Sequence, residues 1–279
     1  MDGNPVFAMG ISHQNSNVVY AATAPAVTNP GVFRTTNGGM SWDNITADLP
    51  NRFPGDIAVD PTNDSVVYVT FLGFGTSHVF KSTEYGNTWQ DIGVGLPDLP
   101  TSSIIVDPKF PNNIYVGNDL GVYVSADGGK SWQEFSDGLP DAVIAMDLAI
   151  SPTNRKLRVA THGNGAYERN LLDSLTVSLA EYKFVPLEFR LEQNYPNPFN
   201  PTTKIVYSIA QPSPVTLKIY NTLGQEVKTL VNNQLQPAGR YEFIWDSTDN
   251  SGIQVAAGMY TYKLQAGEMS QIRKMSFIK

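Results

Sequence analysis

Residues 125–132 read SADGGKSW, and this pattern decides the fold because it occurs twice more, as TTNGGMSW at residues 35–42 and STEYGNTW at residues 82–89. The first residues of the three stretches are separated by 82 − 35 = 47 and 125 − 82 = 43 positions. Each stretch begins with a hydroxyl residue, has glycine fifth and ends in tryptophan. This regular recurrence predicts a repeated structural unit.

A second apolar element recurs in step with the first. It reads IAVDP at residues 57–61, IIVDP at 104–108 and LAISP at 148–152, with a weaker copy, MGISH, at 9–13. The alternating Val, Ile and Tyr residues predict short strands, because helical i, i+3, i+4 spacing is missing. A period of 40–50 residues with several strands and a closing tryptophan is typical of β-propeller blades.

The three stretches resemble the Asp-box (BNR) repeat, Ser/Thr-x-Asp-x-Gly-x-x-Trp. Hydroxyl and carboxylate side chains in such a hairpin can accept backbone N–H groups, and the glycine suits a positive φ. Asn37 and Glu84 depart from the pattern at the Asp position. The resemblance implies structural roles for Thr35, Asn37, Gly39, Trp42, Ser82, Glu84, Gly86, Trp89, Ser125, Asp127, Gly129 and Trp132.

The fourth repeat ends at residues 167–170 without a box. Four units lie at the low end of the range for propellers, which is roughly 4–8 blades. The first residues also lack the basic and apolar regions of a signal peptide. We therefore expect residues 1–170 to be the last, C-terminal blades of a larger propeller.

A different composition follows a predicted extended linker at residues 171–188. Residues 189–279 contain six alternating strand patterns separated by turn-rich connections, which predicts a small β-sandwich. This region resembles the type A C-terminal sorting domain of the type IX secretion system, and also the Ig-like domain of flagellar hook-capping proteins. Its sorting motif is Asn194, Tyr195, Pro196, Asn197, Pro198, Phe199, Asn200 and Pro201.

The sorting-domain resemblance implies a destination and a partner. The chain would be exported by a Bacteroidetes-like bacterium, recognised by the type IX machinery through residues 189–279, and then released or anchored at the outer membrane. The final strand, near residues 274–279, is expected to be an exposed edge that a secretion component could read by strand addition.

Composition excludes several classes of site. Cysteine is absent, so disulfides and thiolate metal sites are excluded. Residues 1–188 carry 10 Lys and Arg against 20 Asp and Glu, a net charge of −10, which argues against nucleic-acid binding. No apolar run is long enough for a transmembrane helix. No cofactor or metal site is predicted: the histidines at 13, 78 and 162 are interpreted as turn or surface residues, and the acidic loop at 246–252 as a hairpin turn.

The fold class is therefore all-β, a partial Asp-box propeller of about four blades followed by an Ig-like sandwich, and two functions remain open. The first is a surface-displayed binding or structural module for glycans or proteins. The second is the C-terminal part of a secreted glycoside hydrolase, which needs paired carboxylates. Candidate carboxylates near the propeller mouth are Asp56, Asp119, Asp147 and Glu168. The arginines show no sialidase context, and we assign no catalytic residue to this chain.

Overall fold

A computed structural model describes residues 2–173 and 185–278 of the 279-residue chain. These residues form strands, turns and bends, and they contain no helix. Accordingly, none of the described segments is an apolar helix of membrane-spanning length. The chain divides into two compact units, Met1–Phe184 and Val185–Lys279. The predicted all-β architecture is confirmed.

Three antiparallel four-stranded sheets make up most of the first unit, and each runs in chain order from an inner to an outer strand. Blade 1 contains β1 (Val6–Ile11), β2 (Val19–Thr23), β3 (Val32–Thr35) and β4 (Asp43–Asn44). Blade 2 contains β5 (Pro54–Asp60), β6 (Asn63–Phe71), β7 (Val79–Ser82) and β8 (Gln90–Asp91). Blade 3 contains β9 (Thr101–Val106), β10 (Ile114–Asn118), β11 (Gly121–Ser125) and β12 (Gln133–Glu134).

A fourth blade follows, with β13 (Ala145–Ser151), β14 (Lys156–Thr161) and β15 (Gly165–Asn170) in antiparallel order. Beyond β15, Leu171 and Leu172 are buried in the cluster between blades 3 and 4. The Leu172 N–H donates to the Tyr115 hydroxyl at 3.0 Å. These first residues of the predicted linker therefore belong to the packed core, and residues 174–184 lie outside the described part of the chain.

The blades pack face to face around their inner strands. β1 contacts β5, β5 contacts β9, and β9 contacts β13. Between blades 1 and 2, Val32 and Ile45 share a buried cluster with Val67 and Val69. Successive side chains of a strand point to opposite faces of the sheet, and both faces of these blades carry apolar side chains. Every blade therefore needs a neighbour on both faces to remove these side chains from water.

The second unit is an antiparallel β-sandwich. One sheet has the order β17 (Arg190–Leu191), β18 (Thr203–Ile209) and β21 (Gly239–Trp245). The other has the order β20 (Glu226–Gln236), β19 (Ser213–Tyr220), β22 (Gly258–Ala266) and β23 (Met269–Phe277). A two-residue strand, β16 (Val185–Pro186), precedes them. Inward side chains of both sheets form one core, which includes Tyr207, Leu217 and Trp245.

Candidate functional site

The hairpins between the third and outer strands hold the predicted box residues. In the third hairpin, Ser125 lies at the end of β11, and its hydroxyl accepts the Gly129 N–H at 2.8 Å and donates to the Asp127 carboxylate at 2.8 Å. Asp127 also accepts the N–H groups of Lys130 and Ser131, each at 3.0 Å. The hydrogen bond from the Ser131 hydroxyl is the main cause that lowers the pKa of Asp127 to about 2.

The first and second hairpins keep the hydroxyl-to-glycine bond and differ at the acidic position. Thr35 accepts the Gly39 N–H at 3.0 Å, and the Asn37 side-chain oxygen accepts the Ser41 N–H at 3.0 Å. In the second hairpin, Ser82 accepts the Gly86 N–H at 2.9 Å. The longer Glu84 side chain reaches only the Thr88 hydroxyl, at 3.3 Å, so no described backbone N–H donates to its carboxylate.

The tryptophans lie directly before the outer strands, and two of them join neighbouring blades. The Trp89 indole N–H donates to the Ile45 carbonyl of blade 1 at 2.8 Å. The Trp132 indole N–H donates to the Ile92 carbonyl of blade 2 at 2.6 Å. Both rings are partly buried. The boxes therefore hold their hairpins closed, and those of blades 2 and 3 also fix the blade on its predecessor.

Glycine at the fifth box position completes this junction. Gly86 and Gly129 have φ values of +84° and +96°, where other residues are strained. A Cβ at Gly129 would lie 2.7 Å from Cδ1 of Ile92, and one at Gly86 would collide with Ile45. The positions need glycine both for the backbone turn and for the close approach of the preceding blade.

Arginine replaces the tryptophan at the junction of blades 3 and 4. The buried Arg169 guanidinium lies 3.3 Å from the centroid of the Phe135 ring and donates to the Phe135 carbonyl at 2.9 Å. Arg155 also crosses this junction and forms a bidentate pair with buried Asp107, at 2.6 and 2.8 Å. No motif identified these two arginines, because their partners come from another blade.

The inner strands of all four blades line a groove of about 420 Å³, whose walls include Ile57, Ile104 and Leu148. Asp56 is the carboxylate in this lining, and it accepts the N–H groups of Ile57 at 2.8 Å and Ile104 at 3.0 Å. Burial raises the pKa of Asp56 to about 6, and the negative charge of Asp147 adds to the effect. One oxygen of Asp56 thus bonds within β5, and the other joins blades 2 and 3.

The other candidate carboxylates are not gathered at this groove. Asp147 lies exposed on β13 and accepts its neighbouring Leu148 N–H at 2.9 Å. Asp119 lies in the turn between β10 and β11, and Glu168 on β15 pairs with Arg158 at 3.2 Å. The negative charge of Asp147 acts on Asp56. Of the four candidate carboxylates, however, only Asp56 lines the groove.

Aromatic rings are exposed at the loop end of the blades, which we define as the end where β5 begins and β6 ends. Phe7 and Phe53 meet edge to face with centroids 4.8 Å apart, and both are exposed. Phe74, in the loop after β6, is 60% exposed. The Leu72 N–H donates to the Phe53 carbonyl at 2.8 Å, which ties the two loops together. Exposed rings of this kind can bind apolar faces of a ligand.

One histidine was interpreted incorrectly from sequence. His78 is buried rather than at the surface, and its ring nitrogens contact the Phe71 carbonyl at 3.1 Å and the Asp98 carboxylate at 2.9 Å. Its partners, which lie on β6 and in the loop after β8, were not apparent from the isolated residue. His13 and His162 are exposed, as expected. Among the described residues, no group of three or more His, Asp or Glu side chains could hold a metal ion.

The predicted sorting motif forms an opening segment, residues 194–201, that is built into the core of the sandwich. The Phe199 ring lies between Trp245 and Phe277, with centroid distances of 5.5 and 5.3 Å. The Asn194 side-chain amide donates to the Pro196 carbonyl at 3.1 Å. The peptide bonds before Pro196, Pro198 and Pro201 are cis.

The opening segment also covers part of the final strand. The Phe199 N–H donates to the Ser276 carbonyl at 3.0 Å, and the Ile278 N–H donates to the Phe199 carbonyl at 3.0 Å. The Asn197 side chain accepts the Ser276 N–H at 2.9 Å. The expectation of an exposed edge over residues 274–279 is therefore wrong at Ser276 and Ile278, because the proline-rich segment folds back and pairs with them. Tyr195 projects into solvent and is 81% exposed.

Comparison with known proteins supports both parts of the fold. The FlgD Ig-like domain family matches residues 199–270. No curated protein sequence matches the chain.

Three solved structures of GH74 proteins are similar to the chain. The GH74 enzyme of Niastella koreensis is 18% identical, with a TM-score of 0.52, over 88% of this chain and 37% of that one. The GH74 xyloglucanase of Xanthomonas campestris is 15% identical, with a TM-score of 0.50, over 72% and 34%. An ancestral GH74 enzyme is 21% identical, with a TM-score of 0.51, over 90% and 34%. This chain thus spans about a third of their length, and at these identities the similarity shows the fold alone.

Proposed function

We propose that this chain is a β-propeller module of a secreted or cell-surface protein. In this proposal residues 1–170 bind a glycan or a protein, and residues 189–279 direct export through the type IX secretion machinery. The linker predicted at 171–188 joins them, starting after the packed Leu171 and Leu172. The main observation in support of export is the position of the sorting motif in the sandwich. Its Phe199 is locked between Trp245 and Phe277, while Tyr195 is presented to solvent. A rigid loop with one exposed aromatic residue suits recognition by a partner.

Export can be tested with surface variants of the whole chain in a bacterium that has a type IX system. We expect Tyr195→Ala to lower surface display severalfold and to leave the protein in the periplasm. Leu223→Ala is the matched control, because Leu223 is also 81% exposed and lies in a turn of the same sandwich. Equal display of the two variants, with equal melting temperatures, would remove Tyr195 from the recognition surface.

Ligand binding by the propeller is supported by the exposed aromatic residues at the loop end. A glycan-array screen of the purified chain would identify a ligand. We expect Phe74→Ala to weaken binding of that ligand about tenfold or more, because an aromatic ring packed on a ligand contributes about 1–2 kcal/mol. Met40→Ala is the control, because Met40 is 85% exposed at the opposite, box end of blade 1. Unchanged affinity of the Phe74 variant would exclude this surface.

Glycoside hydrolysis is the alternative, and one observation favours it: the pKa of Asp56 in the groove is raised, chiefly by burial and further by the negative charge of Asp147. Against it, both oxygens of Asp56 accept backbone N–H groups, which gives this carboxylate a structural use. A polysaccharide-release assay separates the two functions. Release of sugar by the chain, abolished by Asp147→Asn without a change in melting temperature, would establish the hydrolase.

A further inference from the structure

The inner strand of blade 1 leaves apolar side chains in solvent at positions that the other blades bury. Met9 and Ile11 are 54% and 55% exposed. Ile57 and Val59 occupy the same register positions in blade 2 and are 4% and 6% exposed. The difference has a simple cause, since blade 2 packs this face against blade 1.

The box of blade 1 lacks the junction that the next two boxes make. Trp89 and Trp132 donate to the carbonyls of Ile45 and Ile92 in the preceding blades. The Trp42 indole N–H has no acceptor among the described residues, although its ring is half-buried like those of Trp89 and Trp132. The box tryptophan therefore has a backbone acceptor in a preceding blade at two of its three occurrences.

The glycine of this box faces open space as well. A Cβ at Gly86 would collide with the Ile45 side chain, whereas a Cβ at Gly39 would meet, within 4 Å, only the Trp42 indole nitrogen at 3.9 Å. The place that Ile45 fills at the following junction is empty at blade 1. It is a socket lined by a glycine and an indole, with an unpaired N–H donor at its wall.

We propose that this face of blade 1, formed by Met9, Ile11, Gly39 and Trp42, binds a further blade of the same repeat from outside residues 1–279. That blade places a branched apolar residue, directly after its outer strand, in the socket, and its backbone carbonyl accepts the Trp42 indole N–H. The interface continues the one already formed twice within the chain. This inference goes beyond the proposed function and does not depend on it.

Blades 1 to 3 of a second copy do not supply this chemistry. The residues directly after their outer strands are Ile45, Ile92 and Phe135, and all three are buried. Their carbonyls already accept Trp89, Trp132 and Arg169. None of these three residues is therefore free to fill the socket of another chain.

The proposal can be tested by supplying the missing blade. Insertion of a copy of residues 5–52 before Pro5 reproduces the spacing between blades 1 and 2, in which Ile45 precedes Ile57 by 57 − 45 = 12 positions, and it brings its own Ile45. Hydrogen exchange of the original Trp42 indole N–H, assigned through Trp42→Phe, is then followed by NMR. We expect exchange at this site to slow by about tenfold or more in the extended chain.

The matched control is the extended chain with Ile45→Asp in the inserted copy, in which the protection of Trp42 should be lost. A folded extended chain in which the original Trp42 exchanges as fast as before would overturn the proposal. Protection of Trp42 in the unextended chain that rises with protein concentration would assign the face to a second copy and would also overturn it.

A pair of substitutions in the unextended chain gives an answer even if the extended chain does not fold. Met9→Asp should leave the melting temperature unchanged because Met9 faces solvent, whereas Ile57→Asp should abolish folding by burying a charge. An equally large loss for Met9→Asp would show that the face is already covered within the chain, and the proposal would fail.

Discussion

The hairpins of blades 3 and 2 close the same turn with different numbers of bonds. In blade 3, the Asp127 carboxylate accepts four hydrogen bonds, from the Ser125 and Ser131 hydroxyls and the N–H groups of Lys130 and Ser131. In blade 2, Glu84 accepts one, from the Thr88 hydroxyl. Yet both hairpins have the same glycine conformation and the same tryptophan contact with the preceding blade.

The comparison shows which parts of the box the blade depends on. Three features are the same in both hairpins: the bond from the glycine N–H to the hydroxyl, the glycine conformation, and the bond from the tryptophan to the preceding blade. They connect the hairpin to its own third strand and to the preceding blade. The carboxylate bonds stay within the hairpin, at its exposed tip. We therefore expect the tryptophan to contribute most to stability and the carboxylate to contribute least.

The largest effect is expected for Trp132→Ala. The ring is partly buried and its N–H bonds to Ile92, so its loss should lower the free energy of unfolding by about 2–3 kcal/mol, below the value for a fully buried Trp. Urea denaturation of the chain measures this. Trp42→Ala, which removes no bond between blades, should cost about 1 kcal/mol or less. Equal losses at the two sites would contradict the ranking.

Removal of the box hydroxyl comes next. Ser125→Ala and Ser82→Ala each leave the N–H of a buried glycine without its acceptor, so each should cost about 1–2 kcal/mol. The same denaturation experiment applies to both variants. Ser125→Ala also removes the hydrogen bond to Asp127, so its loss should be the larger of the two. An unchanged Ser82→Ala chain would show that the shared bond to glycine does not stabilise the hairpin.

A smaller gain is expected from Glu84→Asp. The shorter side chain can accept the N–H groups at the hairpin tip, as Asp127 does, and should stabilise blade 2 by about 0.5–1 kcal/mol. The reverse change, Asp127→Glu, should destabilise blade 3 by a similar amount. Thermal melts of the two variants test this pair, and a destabilised Glu84→Asp chain would show that Glu84 has contacts of its own to lose.

The smallest effect concerns pH. The pKa of Asp127 is lowered to about 2 in the folded chain, so its bonds are fully present above its unfolded pKa near 4 and are lost as the pH falls from about 4 to about 2. The chain should lose stability over this range more steeply than the Asp127→Asn variant. Melting temperatures measured between pH 5 and pH 2 provide the comparison, and parallel curves for the two chains would contradict it.

Much of the fold was predictable because it is encoded by local patterns. The strand periodicity of the four repeats and the six strands of residues 189–279 were evident as alternating apolar residues between turn signals. All six of those strands are present, from β18 to β23, and they include the eleven-residue Glu226–Gln236.

The site was less predictable, because its contacts cross between elements. The burial of His78, the Arg155–Asp107 pair and the Arg169–Phe135 contact each depend on which residue a neighbouring strand or blade brings. Likewise, the motif at 194–201 could be read as extended, but its pairing with Ser276 and Ile278 depends on a part of the chain nearly 80 residues away. Local propensity contains no information about such partners.

The contact of Phe199 with Phe277 has a consequence for the order of synthesis and folding. The sandwich places both Met275 and Phe277 inside its core, beside a segment that is synthesised nearly 80 residues earlier. This unit therefore cannot complete its core until the ribosome has synthesised Phe277 and the chain as far as this residue has left the exit tunnel. A polypeptide interrupted before Met275 would lack two core side chains and should remain incompletely folded.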